Sequence, residues 1–148
     1  RCIIGARCEP LERMLDGPMR EAFAVDGSIP LPNYRHAVFL AFLEYLYTGK
    51  VIALGADFLD LEFCLDLMEL SDQYLVGSLK CLCEDAVMRN ITVDNACELL
   101  VAVEARLAAS LRKKCFDFVV RNAGLVSCTP GAGSLSPALR MEIEAAAA

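Results

Sequence analysis

Histidine, cysteine and paired carboxylates are the side chains best suited to chemistry near neutral pH, and this sequence spreads them thinly. It has one histidine, His36. A metal centre or a catalytic triad needs an imidazole with converging partners. A single imidazole builds no histidine cluster, and any triad would hang on His36 alone. Its place beside Arg35 at a predicted helix start reads as surface. The eight cysteines are Cys2, Cys8, Cys64, Cys81, Cys83, Cys97, Cys115 and Cys128. A reactive thiol needs an activating base or cation nearby, and none of these has a histidine as neighbour. No pair has the C-x-x-C spacing of a zinc or redox site. Cys81 and Cys83, two apart, point to different faces of a helix. Most cysteines sit among Leu, Phe and Val and read as small buried hydrophobes in a reducing compartment. Glu84 and Asp85 are adjacent, so they diverge on a helix and cannot share acid–base work. Residues 130–134, PGAGS, look like a phosphate loop, but no Gly-Lys-Ser/Thr follows and a helix, not a strand, precedes. No catalytic residue, metal or cofactor is expected.

Composition narrows the partners. The 148 residues are 56% hydrophobic with a formal net charge of -6. That length suits about one domain, with enough apolar mass for a core. An acidic surface repels phosphate backbones and anionic headgroups, so neither nucleic acid nor membrane is an expected partner. The longest basic run, Arg112-Lys113-Lys114, reads as a solvated helix face. Residues 1–4 open directly into patterned sequence, so no signal peptide is expected. No apolar run approaches the ~20 residues that span a bilayer. An intracellular chain, cytoplasmic or nuclear, is the expectation.

The elements that would position these residues are mostly helices. A short helix is predicted to end near Cys8 and a second to start near Pro10, which a first helical turn tolerates. Gly17-Pro18 stops it. Residues 28–31 could form a short edge strand. A helix over 33–47 is predicted from Asn33 as N-cap, an apolar stripe and Gly49 as stop. Residues 51–54 read as a strand or extended loop. Further helices are predicted over 61–74, 75–90, from a Thr92 cap through Val103, and over 106–122 with Gly124 as stop. Residues 127–136 read as a linker, with Ser136-Pro137 capping a last short helix. The predicted core is Val38, Phe39, Phe42, Leu43, Leu46, Leu67, Leu70, Leu79 and Leu82. Lys80 and Glu84 are expected to pair on the outside at i, i+4. The fold class is therefore mostly α, of an α+β family, with one or two short strands.

With these helices placed, three stretches resemble a BTB (POZ) domain: residues 6–15, ARCEPLERML; residues 39–51, FLAFLEYLYTGKV, with the Tyr47-Thr48-Gly49 ending; and residues 67–87, LMELSDQYLVGSLKCLCEDAV. The resemblance covers about residues 1–90. Residues 91–124 resemble the start of a BACK-like helical extension, leaving 125–148 as linker and short C-terminal helix. A full domain of this family begins with strands and a helix that this sequence lacks, and that part carries most of the dimer interface. The resemblance therefore implies a homodimer in a full-length protein and poor dimerisation by this fragment.

What the resemblance implies is a protein-binding module and no enzyme: a substrate adapter that recruits a cullin-3 scaffold of a ubiquitin ligase. The alternative is a self-association domain of a transcriptional regulator or scaffold protein. Ligase adapters of the family carry a hydrophobic residue, any residue and a glutamate after the helix matched here by residues 6–15. Met19-Arg20-Glu21 occupies that place. The implied cullin-binding residues are Met19 and Glu21, with Tyr47 nearby.

Overall fold

A helix with apolar residues every three or four positions has to be covered along one side, and that requirement orders this chain. The computed structural model describes residues 2–16, 34–55, 59–106 and 108–147. Its helices are α1 (Cys2–Arg7), α2 (Glu9–Asp16), α3 (His36–Thr48), α4 (Leu61–Gln73), α5 (Gly77–Arg89), α6 (Ala96–Ala105), α7 (Ala109–Arg121), α8 (Ala123–Val126) and α9 (Pro137–Ala147). Short 3-10 helices lie at Ile52–Gly55 and Pro130–Ser134. The described residues contain no strand. Contacts divide the chain into two units, Arg1–Ala86 and Val87–Ala148.

In the first unit, α1 and α2 meet at Cys8 as predicted, with Pro10 in the first turn of α2. The Cys8 thiol is buried and donates to the Tyr74 carbonyl at 3.5 Å. That bond ties the start of α2 to the end of α4. Helix α3 begins at His36, with Arg35 rather than Asn33 at its cap. The Arg35 guanidinium reaches Asp66 of α4 at 3.1 Å. Val38, Ala41, Phe42 and Leu46 form the buried side of α3, and the Phe42 ring lies 5.4 Å from that of Tyr74. Gly49 ends the helix as predicted: its φ of 74° lets its N–H return to the Tyr45 carbonyl at 2.8 Å, a left-handed cap that a side chain would strain.

The extended segment expected at 51–54 is instead a 3-10 turn, closed by Leu54 N–H donating to the Val51 carbonyl at 3.2 Å. Its three-residue repeat puts Val51 and Leu54 on one side, and both are buried. Strand alternation would have paired Val51 with Ala53, which is exposed. The other predicted strand, 28–31, lies outside the described residues.

Helix α4 is capped by Asp60, whose carboxylate accepts from Phe63 N–H at 3.1 Å. Cys64, Leu65, Leu67, Met68, Leu70 and Ser71 are buried along it. In α5, Leu79, Cys83, Ala86 and Val87 are buried as expected. Two expectations for α5 fail together. Leu82 is 40% exposed, while Glu84 is only 5% exposed. The buried arc is turned toward the Glu84 side of the stripe. Lys80 accordingly pairs with Asp72 across the α4–α5 turn, at 2.6 Å, and not with Glu84. Of the predicted core, Val38, Phe42, Leu46, Leu67, Leu70 and Leu79 are fully buried. Phe39 and Leu43 are only half-buried.

The second unit opens on a reciprocal cap. Thr92 N–H donates to Asn95 Oδ1 at 2.8 Å, and Asn95 N–H donates to Thr92 Oγ1 at 3.4 Å. This is capping-box logic, with Asn95 in the place of the usual Glu or Gln. Ala96, Cys97, Leu99, Leu100 and Val103 line the buried side of α6, and Leu111, Cys115 and Val119 that of α7. Leu107 lies outside the described residues. Arg112, read as part of a solvated run, bridges Glu104 of α6 and Glu142 of α9 at 3.4 and 2.9 Å. Gly124, expected as a stop, lies within α8. The expected linker carries the second 3-10 helix, with Gly131 and Leu135 buried. A Cβ on Gly131 would come within 3.4 Å of the Asp94 carbonyl and of Cys97, so α6 is approached by bare backbone there. Ser136 caps α9 as predicted, accepting from Leu139 N–H at 3.2 Å.

Candidate functional site

The residue types that could do chemistry are kept apart by this fold. Among the described residues no group of three or more His, Cys, Asp or Glu is arranged to hold a metal ion. His36 is exposed at the start of α3. Cys8, Cys64, Cys83, Cys97 and Cys115 are buried thiols, while Cys81 and Cys128 are exposed. Cys81 and Cys83 thus face opposite ways, as their spacing predicts. Cys64 Sγ donates to the Cys83 carbonyl at 3.4 Å. A hydrogen bond with Cys64, then burial, pushes the Cys83 thiol up. Burial raises Cys8 and Cys97 as well. A thiol held protonated is a poor nucleophile, so Cys8, Cys83 and Cys97 act as packing, as burial alone makes Cys64 and Cys115.

Clefts open in each unit of the described residues. One, of about 470 Å³, lies in the first unit between the approach to α3 and one side of α4. Glu62, Asp66 and Glu69 line it together with Tyr34, Arg35 and Gln73. Arg35 is taken up by Asp66 and, at 3.8 Å, by Asp60. Another, of about 730 Å³, is in the second unit, walled by α7, α8 and α9 and lined mainly by small and aliphatic residues with Arg140 and Glu144. In the first the Tyr34 hydroxyl donates to Gln73 Oε1, and in the second the Ser127 and Thr129 hydroxyls donate to the Gly124 and Val126 carbonyls at 3.0 and 2.7 Å, so none of these bonds goes to a carboxylate.

What the first unit does offer is an apolar helix face left in solvent. Helix α3 is apolar on nearly every side (HAVFLAFLEYLYT). One side is packed by Val38, Ala41, Phe42 and Leu46. On the opposite side Leu40 and Tyr47, seven residues apart and so one above the other, are each 50% exposed, with half-buried Leu43 between them. Beyond the Gly49 stop, Ile52 is 81% exposed. The end of this face is held rigidly. Thr48 Oγ1 donates to the Glu44 carbonyl at 2.7 Å and accepts from Lys50 N–H at 3.1 Å, and Tyr45 donates its hydroxyl to Ser78 Oγ of α5 at 2.7 Å. A firm helix with an exposed aromatic and aliphatic stripe can bury apolar area against a partner.

Of the site residues read from sequence, Tyr47 stands on this face. Met19 and Glu21 lie outside the described residues. Leu40 was missed. The signal available for it was its seven-residue spacing from Tyr47 on a helix too apolar to be covered on one side only.

The comparisons with known proteins point one way. A family model described as the BTB/POZ domain matches residues 1–91. The chain is 33% identical over 129 residues to "ARM repeat protein interacting with ABF2" of Arabidopsis thaliana, covering 87% of this chain and 17% of that protein. It is 29% identical over 126 residues to "TD and POZ domain-containing protein 1" of Mus musculus, covering 85% of this chain and 33% of that one. It is 28% identical over 131 residues to "TD and POZ domain-containing protein 4" of the same organism, covering 88% and 34%. The chain therefore spans between about a sixth and a third of the length of these relatives. No helix among the described residues is long and apolar enough to cross a membrane.

Proposed function

Because the chain belongs to the BTB/POZ domain family, whose members are protein-interaction modules, we propose that it works as a substrate adapter, binding a cullin-3 scaffold through its first unit. The observation that carries this reading is the outward face of α3, where Leu40 and Tyr47 stand half in solvent on a helix whose other side is fully packed. An aromatic residue on a rigid support is the kind of anchor that dominates binding energies. Met19 and Glu21 complete the proposed contact by sequence: the thioether is an adaptable apolar anchor, and the carboxylate accepts a charge-assisted hydrogen bond. The acidic balance of the chain suits a protein partner better than nucleic acid. Residues 91–124, seen as α6 and α7 with the capping residues before them, are proposed as a BACK-like extension that holds a further part of the adapter.

The test is a pull-down with the N-terminal domain of cullin-3, comparing the wild-type chain with the Met19→Ala, Glu21→Ala double variant. The adapter reading expects retention by the wild type and loss in a double variant whose helical circular dichroism is unchanged. Equal retention by both would remove Met19 and Glu21 from the site. Retention by neither would move the reading to self-association in a regulator or scaffold protein.

A further inference from the structure

We propose that Ser136 is a phosphorylation site for a proline-directed serine kinase, and that its phosphate is held by Arg140 and the first turn of α9. Of the hydroxyl residues in the chain, only Thr129 and Ser136 are followed directly by proline. The structure separates the two. Thr129 is half-buried, and its hydroxyl donates to the Val126 carbonyl at 2.7 Å. Ser136 is exposed, and its Oγ accepts from Leu139 N–H at 3.2 Å, while its hydroxyl donates to no acceptor among the described residues. The chain reaches Ser136 through Leu135 in extended backbone, φ -68° and ψ 134°, and a residue before proline is itself held toward extended conformations. No peptide bond in the described chain is cis, so Ser136-Pro137 has the trans form.

In the transfer, Ser136 Oγ attacks the γ-phosphorus of ATP in the kinase site. The bond to the β,γ-bridging oxygen breaks, ADP leaves with that electron pair, and the hydroxyl proton passes to the kinase's base. The product places a dianionic group where Oγ already accepts from the first turn of α9, a position where negative charge is favoured. Arg140 is four residues on and therefore on the same side of the helix. One of its terminal nitrogens donates to the Ala132 carbonyl at 2.8 Å, and its remaining N–H groups can take phosphate oxygens as a fork. The modified residue thus fastens the start of α9 to the 3-10 helix before it through one guanidinium.

The experiment treats the whole chain with a recombinant proline-directed serine/threonine kinase and magnesium ATP, maps the product by fragment mass, and measures thermal unfolding before and after. The expected result is one phosphate per chain on Ser136, lost in Ser136→Ala and in Pro137→Ala. The phosphorylated chain is expected to melt about 2–4 °C higher, with most of that rise absent in Arg140→Gln, which is phosphorylated equally. Phosphate on Thr129 alone, or none on the chain, overturns the site. An unchanged or lowered melting temperature, or a rise that survives Arg140→Gln in full, overturns the proposed clamp.

Discussion

Val76 N–H donates to the Ser71 carbonyl at 2.8 Å, and this bond closes because Leu75 between them takes a left-handed φ of 57°. Leu75 N–H donates back to the Asp72 carbonyl at 3.1 Å. The pair of bonds makes a Schellman cap at the end of α4, with leucine where glycine is usual. The Leu75 side chain is largely in solvent, so it offsets little of the strain of its backbone. Leu75→Gly is expected to stabilise the fold by roughly 1 kcal/mol, read by urea unfolding. A destabilised variant would mean that the exposed leucine is held by contacts the fold does not display.

Helix α3 separates its two sides energetically. Phe42 has no exposure and packs at a tilt against the Tyr74 ring, whereas Leu43 beside it is half-buried. Phe42→Ala is expected to cost about 3–5 kcal/mol, and Leu43→Ala less than about 2 kcal/mol. Comparable losses in chemical denaturation would show that both sides of α3 are packed, and would take the outward face out of the account.

The Tyr74 hydroxyl titrates above its ordinary value of 10.0, first because burial disfavours the phenolate and then because of the nearby Cys8. An acid whose folded pKa is raised gives stability that is complete below the unfolded pKa and is lost as pH climbs from there through the folded value. The Tyr74 contribution to stability should therefore fall from about pH 10 upward, so that in this range stability falls less steeply in Tyr74→Phe. Parallel denaturation midpoints for the two proteins across that range would refute the assignment.

The pair Lys80–Asp72 joins the end of α4 to α5 at 2.6 Å, but both side chains meet solvent. A double-mutant cycle on Lys80→Ala and Asp72→Ala is expected to return a coupling of about 0.2–1 kcal/mol. The same cycle on Lys80 and Glu84 should return none, because Glu84 is turned inward. Coupling to Glu84 in place of Asp72 would restore the helical pairing expected from sequence.

That pairing shows where sequence and fold part. Leu79, Cys83, Ala86 and Val87 could be placed correctly because a single helical stripe accounts for them, and Gly49 because a stop needs a residue free to turn left-handed. The reading placed Leu82 and Glu84 on the wrong sides for one reason. Periodicity fixes the spacing of a stripe, but which edge of it is covered depends on the neighbouring helices. Residues 51–54 were misread because a four-residue apolar run fits a strand and a 3-10 turn equally. Residues 127–136 were misread because Gly131 packs by lacking a side chain, which composition scores as linker. Of the candidate site, Tyr47 was singled out by its motif. Leu40 was not, since its one mark, the seven-residue spacing from Tyr47, is faint on a helix apolar on nearly every side.

The central claim, that the outward face of α3 is a binding surface, is tested most directly by titrating the N-terminal domain of cullin-3 into the wild-type chain and into Tyr47→Ala, with thermal unfolding recorded for both. Tyr47→Ala is expected to raise the Kd roughly tenfold or more, equivalent to about 1.4 kcal/mol, with a melting temperature unchanged within about 2 °C. Equal affinities for the two proteins, each melting normally, would contradict it.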